Sequence, residues 1–259
     1  ENIAAIEQGD KGLEVAFESE TQSVPVDFLV DTRPPIRASS CCIQQFVGLY
    51  VNIAPAEIGL KKPLIMDYGS RGTKEENLAF IYALPLSNNR VLIEATTFDV
   101  QARDENFFLK NIEAWWALRT DKNLEEKIES KESGILPMGQ IKPLFKPENS
   151  FGAAGGATRP ATGYTLLGIE RQLRSTDLWT IGGGIPSFEF SKLSQFMDAK
   201  FLKVLRNEPS SMKGIFHKMA IGMTGDEFAG FLSDKFNLKI AAKVIYKMPK
   251  LLFLRNLFG

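Results

Sequence analysis

Cysteine, histidine and net charge are all scarce in this sequence, and each scarcity excludes a class of protein. The 259 residues include two cysteines, Cys41 and Cys42, and one histidine, His217. Adjacent cysteines seldom bridge to each other, so we expect no disulfide framework and infer a reducing compartment. These three residues are also too few for a typical structural zinc site. The formal net charge is zero, so no overall basic field attracts nucleic acid.

Long apolar runs and a dinucleotide-binding fingerprint are also missing. No run approaches the roughly 20 apolar residues that a transmembrane helix needs. The opening residues, ENIAAIEQGD, contain neither the basic start nor the apolar core of a signal peptide. No GxGxxG pattern occurs in the sequence. Because the first residues are strand-like and no initiator methionine precedes them, we expect the sequence to begin inside a domain whose first part is missing.

The sequence has the composition of a globular protein, with 44% hydrophobic and 24% charged residues. Alternating apolar residues and turn signals predict a strand meander over 3–31 and a mostly antiparallel sheet over 44–98. Apolar residues at three-to-four spacing predict a helix over 103–118. Further expectations are an extended segment over 126–137, a helix from about Thr162, and a mainly helical remainder after 184. The mixture predicts an α/β fold.

One carboxylate stands in the middle of an otherwise apolar strand. The stretch PLSNNRVLIEATTF, residues 85–98, predicts a hairpin with its two asparagines at the turn. A two-residue turn would put Ala83 opposite Glu94 and Pro85 opposite Leu92. Glu94 would then face an apolar wall, and burial would raise its pKa, which makes it a candidate proton donor. The alternative is a glutamate on a solvated sheet face.

A stretch rich in glycine and alanine, FGAAGGATRPATGYT, precedes the predicted helix from Thr162. Small residues let a ligand approach the backbone closely, and a helix N-terminus attracts negative charge. The stretch therefore predicts a site for an anion or a flavin ring. The alternative is a glycine-rich turn between packed elements.

Several segments, in order between Val30 and Tyr164, resemble the lycopene cyclase family. GAAGGATRPATGY resembles the family's second flavin motif, and FIYALPLSNNRVLIEATTF resembles a hairpin that carries an essential glutamate. The shorter segments VDTRPP, PLIMDYGS and GILPMG are similar to three other segments of the family.

The resemblance implies an FAD-binding flavoprotein fold, of the hydroxylase or lycopene cyclase type, that lacks its first Rossmann segment. The FAD-binding domain would comprise residues 1–36 and 148–180, a substrate-binding antiparallel sheet domain would span 37–147, and a helical C-terminal region would span 181–259. The residues implied to bind FAD are Gly152, Ala153, Ala154, Gly155, Gly156, Pro160, Thr162, Gly163 and Tyr164.

The resemblance also implies a reaction of carotenoid biosynthesis. Linear carotenoid ends, as in lycopene, would be closed to β-ionone rings by acid-initiated carbocation cyclisation, which makes the enzyme an isomerase. Glu94 would be the acid, and Asp67 a second catalytic carboxylate; a capping role for Asp67 before Gly69 is an equal alternative. Reduced FAD would supply negative charge without net redox chemistry, with NAD(P)H as the reductant.

Two residues depart from the pattern of the family. Ala95 stands where the family often has a second acid directly after the essential glutamate. Ala153 stands where wider flavoprotein relatives often have an aspartate that binds the ribityl chain. Backbone contacts would therefore have to hold the flavin at this point.

The C-terminal stretch, NLKIAAKVIYKMPKLLFLRNLFG, predicts two short helices separated by Pro249. Lys239, Lys243 and Lys247 are four apart, so they lie on one helical face. A basic amphipathic helix can lie on a membrane surface, which predicts a cytoplasmic protein attached peripherally to a membrane. The alternative is a helix packed on the body of the protein with its lysines in water.

Two other functions are compatible with these residues. One is a related flavoprotein that acts on another prenyl lipid, such as a geranylgeranyl reductase or a monooxygenase, and that consumes reducing equivalents stoichiometrically. The other is an inactive module that binds an apolar ligand, which the missing first nucleotide-binding motif favours.

Overall fold

A computed structural model describes residues 3–9, 12–19, 22–33, 35–37, 42–69, 79–139, 141–142, 149–175, 185 and 189–256. Within these ranges the chain forms three antiparallel sheets and seven α-helices, in agreement with the predicted α/β class. The strands are β1 (Ile3–Gly9), β2 (Gly12–Phe17), β3 (Val24–Val26), β4 (Ile36–Arg37), β5 (Cys42–Asn52), β6 (Leu64–Asp67), β7 (Ala79–Ser87), β8 (Arg90–Asp99), β9 (Ile128–Met138) and β10 (Ile141–Lys142). The helices are α1 (Glu105–Ala117), α2 (Leu166–Ser175), α3 (Lys192–Asn207), α4 (Met212–Gly222), α5 (Gly225–Leu232), α6 (Leu238–Lys247) and α7 (Lys250–Arg255).

The largest sheet has five strands in the order β6-β7-β8-β5-β9. The predicted meander forms a separate sheet, β1-β2-β3, and β10 pairs with β4. A parallel bridge between Asp31 and Ser150 joins the end of the meander region to the start of the glycine-rich stretch. The domain boundaries expected from the sequence stay predictions.

The two faces of the large sheet pack against different helices. Ile93 and Ala95 of β8 are buried in a cluster that includes Trp115 of α1. Phe98 belongs to a second cluster, built largely from α3 to α7. Because successive strand residues point to opposite faces, Glu94 lies on the face towards these C-terminal helices.

The hairpin forms at the two asparagines, but the expected register is wrong by one residue. Ser87 pairs with Arg90 as expected, whereas Pro85 pairs with Val91 and leaves Leu86 without a partner across the strand. This β-bulge moves every earlier residue of β7 to the opposite face, which is the usual effect of one extra residue. Glu94 is therefore opposite Tyr82 rather than Ala83, and Leu92 is opposite Leu84 rather than Pro85.

The helix predicted over 103–118 forms as α1, from Glu105 to Ala117. Helix α1 begins after Asp104, whose side chain accepts a hydrogen bond from the N–H of Asn106. Helix α2 begins at Leu166, later than expected, because Gly163 has a φ of +71° and a tight turn precedes it. Pro249 separates α6 from α7 as predicted. Among the described residues, no helix is both long and apolar enough to span a bilayer.

Candidate active site

Glu94 lies in a row of cross-strand neighbours on the face towards the C-terminal helices. Tyr82 of β7 and Gly48 of β5 flank it, and Glu132 of β9 follows beyond Gly48. Cross-strand partners point to the same side of a sheet, so both carboxyl groups share this face. A Cβ added at Gly48 would come within 3.1 Å of Glu132 Cγ. Glu132 therefore leans over Gly48, and no side chain of β5 separates the two carboxyl groups.

Burial and a neighbouring carboxyl group both favour the protonated form of Glu94. Its side chain is half-buried, and Thr96 Oγ1 donates a hydrogen bond to Glu94 Oε1 over 2.6 Å. Burial raises the pKa of Glu94, the hydrogen bond from Thr96 partly offsets this, and the charge of Glu132 raises the pKa further. Glu132 is itself held by Tyr50, whose hydroxyl donates to Oε2 over 2.8 Å. The sequence prediction of a raised pKa for Glu94 therefore agrees with the structure.

Aromatic rings cover the sheet beside Glu94. Phe80 contacts Tyr82 edge to face, with ring centroids 5.2 Å apart. Phe80 also contacts Phe98, at a centroid distance of 5.5 Å. These rings exclude water, and their electron-rich faces attract positive charge. The surroundings of Glu94 suit an apolar substrate in which a cation develops.

The ATGY segment of the glycine-rich stretch packs against this same sheet face. Gln44 precedes Gly48 by four residues in β5, so it lies on the same sheet face, and it pairs with Leu136 of β9. A Cβ added at Gly163 would lie 2.6 Å from Gln44 Oε1 and 3.5 Å from Leu136 Cδ1, so the segment touches both side chains. Tyr164 comes close enough to influence the pKa of Tyr82 electrostatically. The fold thus brings two sequence motifs together on one sheet face.

The GAAGG part of the stretch forms turns that pack on α2. Gly152 and Gly156 have φ values of +67° and +84°, which glycine adopts at little cost. Added Cβ atoms at Gly155 and Gly168 would lie 2.5 Å from Ser150 O and 1.9 Å from the carbonyl oxygen of Ala157. These two glycines are therefore required by packing within the protein itself. At Gly152 an added Cβ would meet nothing nearer than 3.8 Å.

The stretch has features that fit one side of a flavin. Ala153, Ala154 and Gly156 offer backbone with at most a methyl group. Gln44 Oε1, which lies against Gly163, is buried and has no hydrogen-bond partner among the described residues. An unpaired buried acceptor is unfavourable, and a bound group with a donor, such as the N–H of a flavin ring, would satisfy it.

Asp67 holds the sheet edge to α1, on the face opposite Glu94. Its Oδ1 accepts from the N–H of Gly69 over 2.8 Å, and Oδ2 accepts from Trp115 Nε1 over 2.9 Å and from Arg119 over 2.8 Å. Burial acts to raise the pKa of Asp67, but these three hydrogen bonds outweigh it and the net pKa is lowered. The contact with Gly69 matches the capping alternative. The structure does not bring Asp67 and Glu94 together.

A buried ion pair that the sequence did not reveal joins the glycine-rich stretch to the C-terminal helices. Arg159 is 1% exposed and donates to both carboxylate oxygens of Asp198 on α3, over 3.1 and 2.9 Å. It also donates to the carbonyl oxygen of Phe231 and lies over the rings of Phe231 and Phe236. The sequence feature that could have indicated this pair is Arg159, the single arginine inside GGATRPATG. The prediction of a cofactor site assigned no role to it.

Other predicted features have plain structural outcomes. Ala95, at the position where the family often has a second acid, is buried against α1 and so lies on the face opposite Glu94. Glu132 supplies a second carboxyl group on the same face as Glu94, from a segment that was predicted only to be extended. In the part of the chain that the structure describes, no group of acidic, histidine or cysteine side chains could hold a metal ion.

Comparison with known proteins agrees with the resemblance seen in the sequence. The model of the family described as lycopene cyclase protein matches residues 2–183, which is more than half of the chain. The chain therefore belongs to the lycopene cyclase family.

The curated relatives are similar to this chain at modest identity. A lycopene beta-cyclase of Pantoea ananas is 23% identical over 231 residues, which is 82% of this chain and 58% of the relative. A lycopene beta-cyclase of Pseudescherichia vulneris is 30% identical over 120 residues, which is 42% of this chain and 29% of that relative. The chain thus spans less than two thirds of the length of either relative.

A solved structure is also similar. It is a geranylgeranyl bacteriochlorophyll reductase-like protein from Thermoplasma acidophilum, matched with a TM-score of 0.49 at 11% identity. The match covers 98% of this chain and 68% of that chain.

Proposed function

We propose that this protein converts linear carotenoid ends to β-ionone rings, as a lycopene cyclase of carotenoid biosynthesis, with Glu94 as the acid. The observation that carries the proposal is a half-buried carboxyl group with a raised pKa, set among aromatic rings on one sheet face. Family membership supports the same reaction class.

Glu94 is suited to start the reaction because a polyene end offers only alkene carbons to protonate. Thr96 donates to Oε1, so a proton carried by Glu94 sits on Oε2, free to move to the substrate. The proton adds to an alkene carbon, a second double bond closes the ring, and a carbocation results. Loss of a proton from a neighbouring carbon restores a double bond, so no atom or electron is gained overall.

Two groups beside Glu94 stabilise the positive charge. The faces of the Phe80 and Tyr82 rings attract a cation that forms next to them. Glu132, anchored by Tyr50, adds a second carboxyl group across Gly48. Glu132 thus provides a second acid near Glu94, whereas Ala95 occupies the position where the family often has one.

The flavin expected from the family is FAD, reduced by NAD(P)H, and it would supply negative charge near the carbocation without net redox chemistry. The residues proposed to hold it are Gly152, Ala153, Ala154, Gly155, Gly156, Pro160, Thr162, Gly163 and Tyr164. Gly155 contributes backbone only, because its Cα is enclosed by Ser150 and Gln172. For Asp67 we propose a structural role, through its bonds to α1, rather than proton transfer.

The substrate class favours attachment to a membrane surface from the cytoplasmic side. Leu251 and Tyr246 of α7 and α6 are 85% and 69% exposed. Lys247 and Lys250 lie between these two residues in the sequence, so this surface combines apolar side chains with positive charge. Lys243, in contrast, pairs with Glu227. Flotation with anionic liposomes tests whether α6 and α7 attach the protein to a membrane. If a protein that lacks both helices floats equally well, the proposed attachment is wrong.

Pigment analysis tests the proposed reaction. The full-length gene is expressed in cells that accumulate lycopene, beside Glu94→Gln and a control, Glu113→Gln, which changes an exposed glutamate of α1. We expect ringed carotenoids from the wild type and the control, and unchanged lycopene with Glu94→Gln at equal protein level. Lycopene left by all three proteins, despite bound flavin, would contradict the proposal and favour a flavoprotein that reduces or oxidises another prenyl lipid.

A further inference from the structure

The C-terminal helices line a partly open, apolar cavity of about 340 Å³. Its wall is formed mainly by aromatic, methionine and aliphatic side chains from α3 to α7, such as Phe201, Phe216, Met219, Phe231, Val244 and Met248. Arg159, Ala161 and Thr162 of the glycine-rich stretch close one side. The cavity lies almost entirely beyond residue 183, where the family match ends.

The buried charged groups of the cavity are paired, and two lysines, Lys200 and Lys250, are at its rim. Arg159 and Asp198 bind each other, and Arg159 also binds the carbonyl oxygen of Phe231. At the rim, Lys200 lies over the ring of Phe196 rather than beside a carboxylate. Inside this rim the lining is mainly apolar, which favours a hydrocarbon, because a polar ligand would lose its hydrogen bonds to water there.

An unbroken series of aromatic rings leads from the cavity to Glu94. Phe201 and Phe216 line the cavity and contact each other at 5.5 Å. Phe216 stacks on Phe98 at 5.7 Å, and Phe98 contacts Phe80, the neighbour of Tyr82. Tyr82 is the cross-strand partner of Glu94. The cavity lining and Tyr82, the neighbour of the candidate acid, therefore belong to one apolar cluster.

The size of the cavity decides how much of a ligand it can take. Pockets for small molecules have volumes of roughly 300–1,000 Å³, so this cavity is near the small end of the range. A long polyene would fit only in part, and the rest of it would lie outside this cavity.

We propose that this cavity binds the hydrocarbon chain of an acyclic isoprenoid whose reacting end lies beside Glu94. The identity of the isoprenoid rests on the proposed function, whereas the preference for a hydrocarbon rests on the cavity alone. A part of the chain outside the family match would thus fix the position of the reacting end.

The test measures binding separately from turnover. Full-length Glu94→Gln protein is incubated with lycopene in detergent micelles and separated by gel filtration, and the ratio of pigment to protein is measured. Val244→Phe, added to this background, fills the cavity from α6. Leu238→Phe is the matched control, because Leu238 is on the same helix, is 76% exposed and does not line the cavity. If Val244→Phe does not fold, Ile245→Trp narrows the rim at a residue that is 53% exposed.

We expect a cavity-filling variant to lower the pigment ratio at least about tenfold, or about 1.4 kcal/mol, with no change for the control. Folded cavity variants that bind lycopene like the control would overturn the proposal. So would variants that lose binding of a fluorescent fatty acid but retain lycopene, since the cavity would then be a site for an acidic lipid. If cavity variants lose lycopene while the wild type forms no rings, the binding site stands and the proposed reaction fails.

Discussion

The buried pair Arg159–Asp198 predicts a large and asymmetric response to mutation. The side chains are 1% and 4% exposed, so neither charge is hydrated in the folded protein. Asp198→Asn keeps the shape of the side chain and leaves the guanidinium without a countercharge. Breaking a buried pair in this way costs about 3–5 kcal/mol, whereas replacing both partners by apolar residues is often neutral. We therefore expect the double variant Arg159→Met/Asp198→Leu to be more stable than Asp198→Asn.

The assay is chemical denaturation followed by tryptophan fluorescence, with the free energy of unfolding compared among the variants. The control is Arg174→Met, which breaks an ion pair with Glu170 whose side chains are 78% and 47% exposed. Exposed pairs of this spacing contribute only about 0.3–0.5 kcal/mol. A loss below about 1 kcal/mol for Asp198→Asn, or no difference from the control, would refute the reasoning from burial.

Further predictions concern Asp67, Gly163 and Glu94. Asp67→Asn weakens charge-assisted hydrogen bonds to α1, so denaturation should show that the free energy of unfolding falls by about 1.5–3 kcal/mol. Ring formation should persist below the melting temperature. Loss of ring formation in folded protein would instead support a catalytic Asp67. Gly163→Ala puts a side chain at a φ of +71° and against Gln44, so thermal unfolding should show a loss of at least about 1 kcal/mol, and an unchanged melting temperature would contradict the described turn. Because the folded-state pKa of Glu94 is raised, the wild type should match Glu94→Gln below the ordinary pKa of 4.5 and lose stability relative to it as the pH rises through the folded-state pKa. Parallel stability curves for these two proteins across that range would show that Glu94 is not buried.

Local patterns in the sequence were sufficient for much of the fold. Strand alternation gave β8 two distinct faces, and the apolar spacing of α1 matched the residues that it buries, such as Phe108, Ile112 and Trp115. Pro249 separated α6 from α7 as its missing N–H requires. Each of these features depends on neighbours within a few residues along the chain.

Features that depend on distant or irregular contacts were not predictable in this way. The bulge at Leu86 follows Pro85, and proline inside a sheet is confined to edges and bulges, but a regular two-residue hairpin was expected here. The bulge decides that Tyr82 rather than Ala83 faces Glu94. Glu132 reaches the site through the order of the strands, which places β5, with Gly48, between β8 and β9. Only the three-dimensional fold could therefore show that Glu132, and not Asp67, lies on the same sheet face as Glu94.

The central claim is that an exchangeable carboxylic acid starts cyclisation by protonating an alkene carbon. The most direct measurement is to run the full-length enzyme on lycopene in D₂O and to determine the mass of the product. The proton of a carboxyl group exchanges with solvent, whereas the proton lost later comes from carbon, so each ring formed should carry one deuterium. Rings formed in D₂O without deuterium would contradict the claim, because the initiating proton could not then have come from an exchangeable acid such as Glu94.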